Sequence, residues 1–458
     1  VGTPSADLAA LAAHPLPDWF RDAKLGIFVH WTAATVPAFA PLSDDPFTLG
    51  RERGWEYALA HSPYVEWYQN SLAIEGSPVA RHHAEHWPGV TYDEFVRRFV
   101  AATEHWDPEL WAEAFAGAGA RYVVFVTKHH DGVTLWPSAT PNPWKEGWST
   151  RRDCVGELAA AVRARGLRYG VYYSGGLDWT FGGLPITSFE GMPRAIPTSP
   201  EYCAYADAHW RELIAHVGPD VLWNDIAYPP GANGPQLVAD YYAVHPDGVV
   251  NDRFDVIGVQ RGTAHADFVT PEYASHTDLP DRMFEVCRGI GRSFGYNAWE
   301  GEDDYLAPDE LVRLLVDVVA QGGNLLLNVG PTATGELPTA QARRLAALGA
   351  WLRVNGEAIY GTRPWKATGD PTGDPTGDPT SHVRYTQRGD TVYAILLGTP
   401  AGREVELGVR PAPGGRVRRL GDRVPSDWRP TDRGCRVLLP VPVAAGPAHA
   451  FAVEPADT

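Results

Sequence analysis

Asp220-Val-Leu-Trp-Asn-Asp225-Ile-Ala-Tyr228 is the stretch from which the rest of the chain can be read. Pro219 and Asp220 close a helix-like run, Val221 to Trp223 form a short apolar strand, and Pro229-Pro230-Gly231 turn the backbone into a loop. Asp225 therefore stands at the carboxyl end of a strand. Side chains alternate along a strand, so Val221, Trp223 and Asp225 share one face, with the carboxylate beside an indole where water is partly excluded. Taken alone, the same acid reads as a helix cap or a turn residue. Its surroundings in the chain decide between the two.

Strand and helix alternate on both sides of it. Residues 24–31, 121–127, 168–174, 249–254, 267–273, 293–297 and 324–330 read as strands. Residues 92–100, 108–118, 155–165, 200–217, 236–244, 308–320 and 339–355 read as helices, the second of them opened by Asp107 as cap with Pro108 in its first turn. Repeated βα units of this kind predict a parallel sheet, and their number and length suit an α/β protein with a (β/α)8-like, TIM-type catalytic barrel. An open doubly wound sheet is the alternative fold. No GxGxxG follows the first strand, so a dinucleotide site lacks support. Residues 35–88 form a polar and aromatic excursion, read as loop and short helix, that is expected to carry function.

Composition changes after residue 362. Residues 368–380 repeat Thr-Gly-Asp-Pro, a tract with no apolar face to bury, expected to be an exposed loop. Short strand-like runs follow at 382–385, 391–397, 404–409, 417–420, 435–439 and 449–453, separated by Gly and Pro, the pattern of a C-terminal antiparallel β-sandwich. The expected division is a catalytic barrel over 1–362 and a sandwich over 363–458, the latter with a structural, capping role.

The 458 residues carry a net charge of −17, which repels phosphate backbones and anionic membranes, so nucleic acid and lipid surfaces are poor partners. A neutral ligand is easier to accept, and 17 Trp supply flat apolar rings of the sort that lie against sugar faces. Cys154, Cys203, Cys287 and Cys435 form no CxxC pair, which argues against structural zinc and a disulfide scaffold. Residues 1–18 show no basic head followed by an apolar core, and no run is apolar for the length of a membrane crossing. A cytoplasmic location is the expectation; the chain begins at Val1, so a removed secretion signal stays compatible.

His30, His129, His130, Asp225 and Arg253 all fall at or just past the carboxyl ends of predicted strands, the face on which barrel loops build a site. Two chemistries fit such a rim. One is metal-assisted hydrolysis on a His30/His129/His130/Asp225 cluster. The other is glycoside hydrolysis, in which two carboxyl groups flank the scissile bond and neutral donors hold the sugar hydroxyls. His129 and His130 are adjacent and would diverge on an extended strand, so they suit a turning strand end better than chelation. The sugar reading is favoured.

At this point the residues resemble a known family. GIFVHW from Gly26 to Trp31, EWY at Glu66 to Tyr68, TKHHDG from Thr127 to Gly132, GVYYSGGLDW from Gly170 to Trp179, LWND ending in Asp225, NDR ending in Arg253, TPEY around Glu272, SFGYN around Phe294 and GGNLLLNVGP from Gly322 to Pro331 are together similar to the α-L-fucosidases of glycoside hydrolase family 29. The resemblance covers about the first three quarters of the chain, in consistent order. It implies an irregular barrel followed by a sandwich, exo-acting release of terminal L-fucose from fucosylated glycans with retention, and neither metal nor other cofactor. Carried across, the nucleophile falls on Asp225 and the general acid/base on Glu272. Substrate contacts fall on His30, Glu66, Trp67, His129, His130, Arg253 and Phe294, and on Tyr172 in preference to Tyr173. Glu75, Glu285, Glu300 and Glu302 remain rival carboxyls for the acid/base role.

Overall fold

The computed structural model describes residues 7–273, 282–365, 382–400, 402–439 and 443–457; the Thr-Gly-Asp-Pro tract lies outside them. Seven parallel strands, β1 (Leu25–Val29), β2 (Tyr122–Lys128), β3 (Arg168–Ser174), β4 (Val221–Asp225), β5 (Val249–Val250), β6 (Glu285–Gly289) and β7 (Asn324–Val329), pair in the order β5-β4-β3-β2-β1-β7-β6. Residues 268–272 complete the ring. Phe268 bridges Asn251 just past β5, while Val269 and Glu272 bridge Phe284 and Cys287 at β6, each in parallel sense. The barrel is closed by an eighth stave too irregular to hold a continuous ladder.

Strands buried on both faces alternate between two apolar cores. Phe28, Val124, Tyr172, Val221, Trp223 and Leu326 fill the barrel. Ile27, Val123, Tyr173, Leu222 and Leu325 point outward against the surrounding helices. Gly26 is needed because the Tyr122 ring occupies its side: a Cβ there would meet that ring at 2.3 Å. The helices start where the sequence supplies caps; the Asp107 carboxylate accepts from Glu109 N at 2.9 Å, and Pro108 follows.

Two expectations need correction. Residues 293–297 are not a strand but the loop after β6, whose backbone turns toward the barrel mouth. The strand of that unit is β6 itself, hidden in the sequence because Glu285 and Arg288 interrupt its apolar pattern. The strand read over 249–254 shortens to two residues and gives way to a 3-10 turn, Asp252–Phe254. The excursion 35–88, read as loop and short helix, holds four short α-helices, Pro46–Arg53, Trp55–Ala60, Tyr68–Ala73 and Pro78–His86.

After the barrel come β8 (Arg363–Pro364), β9 (Val383–Arg388), β10 (Thr391–Leu397), β11 (Glu404–Leu407), β12 (Arg410–Arg419), β13 (Asp427–Thr431), β14 (Gly434–Leu438) and β15 (Ala448–Asp457). They form antiparallel sheets ordered β12-β15-β10-β9-β8 and β11-β14-β13, with Val392, Val417, Val437 and Phe451 between them. The larger sheet packs on the helices Pro308–Ala320 and Thr339–Asn355, where the Trp351 indole donates to Ala448 O at 2.9 Å. The sandwich thus leans on the helical flank of the barrel.

Candidate active site

Asp225 ends β4 with its carboxylate at the barrel mouth. Oδ2 accepts from the Tyr172 hydroxyl at 2.6 Å, and Oδ1 accepts from Arg253 Nη1 at 2.9 Å and from Ile226 N at 3.0 Å. The same guanidinium reaches the second acid, with Nη2 donating to Glu272 Oε2 at 3.0 Å. Arg253 is held in turn by Thr270 Oγ1 at 2.9 Å and lies over the Trp223 ring, 4.6 Å from its centroid. Two acids 47 positions apart in the chain therefore share one planar cation. Directly after each, the backbone enters the left-handed region, at Ile226 (φ 63°) and Tyr273 (φ 49°). A β-branched residue there is strained, and such strain persists where the surroundings enforce it, commonly at functional sites.

The three histidines converge on this pair. A register shift in β2 against β3, between Val126 and Lys128, turns the strand end so that His129 and His130 face the same opening with ring centroids 4.0 Å apart. His129 stacks on Tyr172 at 5.6 Å, and His130 Nε2 stands 3.9 Å from Asp225 Oδ2. The Ser174 hydroxyl donates to Leu177 O at 2.7 Å, so it accepts from His130 Nδ1–H at 2.6 Å. The Asn328 amide nitrogen donates to Phe294 O at 2.6 Å, which turns its oxygen to accept from His30 Nδ1–H at 2.6 Å. Both rings thereby carry their proton on Nδ1 and offer Nε2 as an acceptor. Burial pushes His30 down to about 4 and the other two well below the ordinary histidine value, so all three are neutral near pH 7.

One wall is apolar and one acidic. Phe294 packs 4.9 Å from the His30 ring, and Trp67 meets His130 and Trp179 edge-on at 5.3 and 5.7 Å. Leu59, Tyr64, Leu177 and Ile186 extend this apolar group. Glu66 sits in the short turn Val65–Trp67, its Oε2 accepting from Gly295 N at 2.9 Å, and burial pushes its carboxyl up to about 7. The ten residues carried across from the resemblance therefore all have a place at or beside the mouth. Tyr173, the alternative to Tyr172, points away to His209 Nδ1 at 3.0 Å.

The rival carboxyls stand elsewhere. Glu75 is exposed; Glu302 pairs with Arg344 at 2.9 Å. Glu300 clamps Arg292 N and Ser293 N at 2.6 and 3.0 Å. Glu285 is wholly buried at the start of β6, accepting from Trp223 Nε1 at 3.0 Å and bonded to Tyr122. The metal-hydrolase alternative meets a geometric obstacle: among the described residues, the ligand atoms of His30, His129, His130 and Asp225 are not among those that gather within 4.8 Å of one another. Sequence reasoning missed Tyr64, whose hydroxyl donates to Glu272 Oε1 at 2.8 Å, and the supports Ser174 and Asn328. Ser174 closes β3 and Asn328 stands one residue before the end of β7, so the strand-end rule that found the histidines also points to them.

Two carboxyl groups facing one ring-sized opening, with neutral acceptors around it, are the apparatus of glycoside hydrolysis, and fold and site together assign the chain to the barrel glycoside hydrolases. The family model described as Alpha-L-fucosidase matches residues 3–357, and the chain belongs to that family. Tissue alpha-L-fucosidase of Macaca fascicularis is 33% identical over 464 residues, spanning 97% of this chain and 89% of the relative. The crystal structure of Thermotoga maritima alpha-fucosidase in complex with fucose is 36% identical, covers 98% of this chain and 100% of its own, and superposes with a TM-score of 0.82. A Thermotoga maritima alpha-L-fucosynthase in complex with alpha-L-Fuc-(1-2)-beta-L-Fuc-N3 is 37% identical, with 98% of each chain covered and a TM-score of 0.85.

Proposed function

We propose that the chain hydrolyses terminal α-L-fucosyl groups of fucosylated glycans by double displacement, with Asp225 as nucleophile and Glu272 as general acid/base. The observation that carries the pairing of these two acids is the Arg253 guanidinium they share, at 2.9 and 3.0 Å. Retaining pairs stand about 5–5.5 Å apart and inverting pairs roughly 6.5–9.5 Å. A single guanidinium spanning both acids supports the shorter spacing.

In the first step Asp225 attacks the anomeric carbon while Glu272 gives its proton to the departing oxygen. Tyr172 and Arg253 orient the attacking carboxylate through the bonds they make to it. In the second step Glu272 takes a proton from water, which opens the fucosyl ester and restores both acids. The Nε2 lone pairs of His30 and His130 accept from sugar hydroxyls, bonds that strengthen as the ring gains oxocarbenium character and its hydroxyl protons become more acidic. Phe294, with Trp67, gives the 6-methyl of a deoxy sugar an apolar wall, which discriminates against a hydroxymethyl by about 1–3 kcal/mol.

Asp225→Gly is expected to abolish turnover of an aryl α-L-fucoside, and azide to restore it with formation of β-fucosyl azide; undiminished activity in the variant removes Asp225 as nucleophile. Glu272→Ala is expected to lose far more activity on oligosaccharides, whose leaving groups need a proton, than on activated aryl fucosides. Equal losses on both would move the acid/base role to another group.

A further inference from the structure

Among the described residues, the exposed Phe and Trp side chains are Phe47, Trp144, Phe189 and Trp299. All four belong to segments that follow the carboxyl ends of strands: Phe47 comes after β1, Trp144 after β2, Phe189 after β3 and Trp299 after β6. The exposed apolar side chains of the helical flank and the sandwich, such as Leu110, Val354 and Val424, are aliphatic. Flat rings are thus concentrated on the face where the mouth opens.

Phe189 is continuous with the apolar wall beside the two acids. Its loop is clamped at Ile186, whose N donates to Asn70 Oδ1 at 2.7 Å and whose carbonyl accepts from Asn70 Nδ2 at 3.1 Å, on the helix that follows Trp67. Ile186 is buried with Trp67, Trp179 and Phe294, and Met192, three residues beyond Phe189, packs on the same group. The Phe189 ring stacks on Trp55 with centroids 4.8 Å apart and planes at 26°. Trp55 precedes Leu59 by four residues in the helix Trp55–Ala60, so the two share a face, with the indole about 6 Å farther along the axis. Leu59 belongs to the wall together with Tyr64, whose hydroxyl donates to Glu272 Oε1 at 2.8 Å. Both segments that carry the stacked pair therefore run into the wall on the side of the acid/base.

The pair is built as a platform. Gly50 lets the indole approach the backbone closely: a Cβ there would meet three of its ring atoms at 2.9 to 3.0 Å. With Gly50 against the indole and the phenyl ring stacked on it, the ring left open is that of Phe189, 47% exposed. An exposed ring held in one orientation is a surface for the C–H face of a pyranose, and little freedom is lost when the sugar settles on it.

We propose that Phe189, backed by Trp55, carries the first sugar of the leaving group, so that the site selects α-L-fucosyl groups attached to saccharides over those on small aglycones. The inference rests on the fucosidase reading and adds to it the half of the substrate that departs. The platform acts until Glu272 has protonated the departing oxygen; hydrolysis of the fucosyl ester follows after that sugar has left.

The test compares two substrates with the same fucosyl ring: α-L-fucosyl fluoride, which has no leaving sugar, and the best-cleaved member of a panel of fucosyl oligosaccharides of defined linkage. Phe189→Ala is expected to lower kcat/KM for the oligosaccharide relative to that for the fluoride about 3- to 10-fold, the scale of one aromatic contact. Trp55→Ala removes the backing and is expected to lower the same ratio. Phe189→Trp, which keeps a flat ring, is expected to hold the ratio within about threefold of wild type. A ratio unchanged in Phe189→Ala, whether because both substrates suffer equally or because neither does, overturns the inference and leaves the fucosidase reading in place. A wild type that releases fucose from neither substrate overturns both.

Discussion

Asn328 is buried, yet it sets what His30 can offer a ligand. Its amide is committed at both ends, donating to Phe294 O and accepting from His30 Nδ1 at 2.6 Å each. Asn328→Leu removes the acceptor and frees the imidazole to carry its proton on Nε2, the wrong atom for receiving a hydroxyl proton. Loss of a buried hydrogen bond costs about 1–3 kcal/mol, so kcat/KM for an aryl α-L-fucoside is expected to fall about 10- to 100-fold, with unchanged kinetics counting against the tautomer assignment. Glu66 offers a pH signature. Burial raises its carboxyl in the folded chain to about 7, above the ordinary unfolded value near 4.3, so its contribution to stability is complete below the unfolded value. That contribution is lost as pH rises from about 4.3 through 7. Glu66→Gln lacks this loss, and its stability relative to wild type is expected to improve between pH 5 and 8 by up to about 3 kcal/mol in urea unfolding. A pH-independent difference would mean that Glu66 is not buried as an acid. The strand-end histidines were legible one residue at a time; Tyr64 was not, because its bond to Glu272 joins two loops 208 positions apart.

At the scale of elements, legibility followed continuity of the apolar pattern. β2 and β7 are wholly buried runs with few polar interruptions, and the sequence reading placed both within a residue or two. β6 carries Glu285 and Arg288: the glutamate accepts from Trp223 on β4 and is bonded to Tyr122 on β2, and the guanidinium of Arg288 lies over the Tyr273 ring. Such pairing is tertiary, and no local pattern announces it. The eighth stave was legible as the run 267–273, although isolated bridges at Phe268, Val269 and Glu272 take the place of the continuous ladder a strand would form. Thr270 and Glu272 stand two positions apart, so alternation along the stave puts them on one face, where both meet the Arg253 guanidinium.

For the whole molecule, the change of composition after the last barrel helix marked a second architecture, and antiparallel sheets follow it. Where the sandwich rests was not legible, because the Trp351 to Ala448 contact joins residues whose partners the sequence does not name. Among the described residues no helix is long and apolar enough to cross a membrane. The central claim is that the closed barrel exists to bring Asp225 and Glu272 to one opening and that Asp225 becomes covalently fucosylated there. The direct measurement is mass spectrometry of the wild type after incubation with a 2-deoxy-2-fluoro-L-fucosyl fluoride, followed by peptide mapping. A single fucosyl adduct located on Asp225 is the result expected; an adduct on another residue, or turnover through which no ester ever forms, would contradict the account.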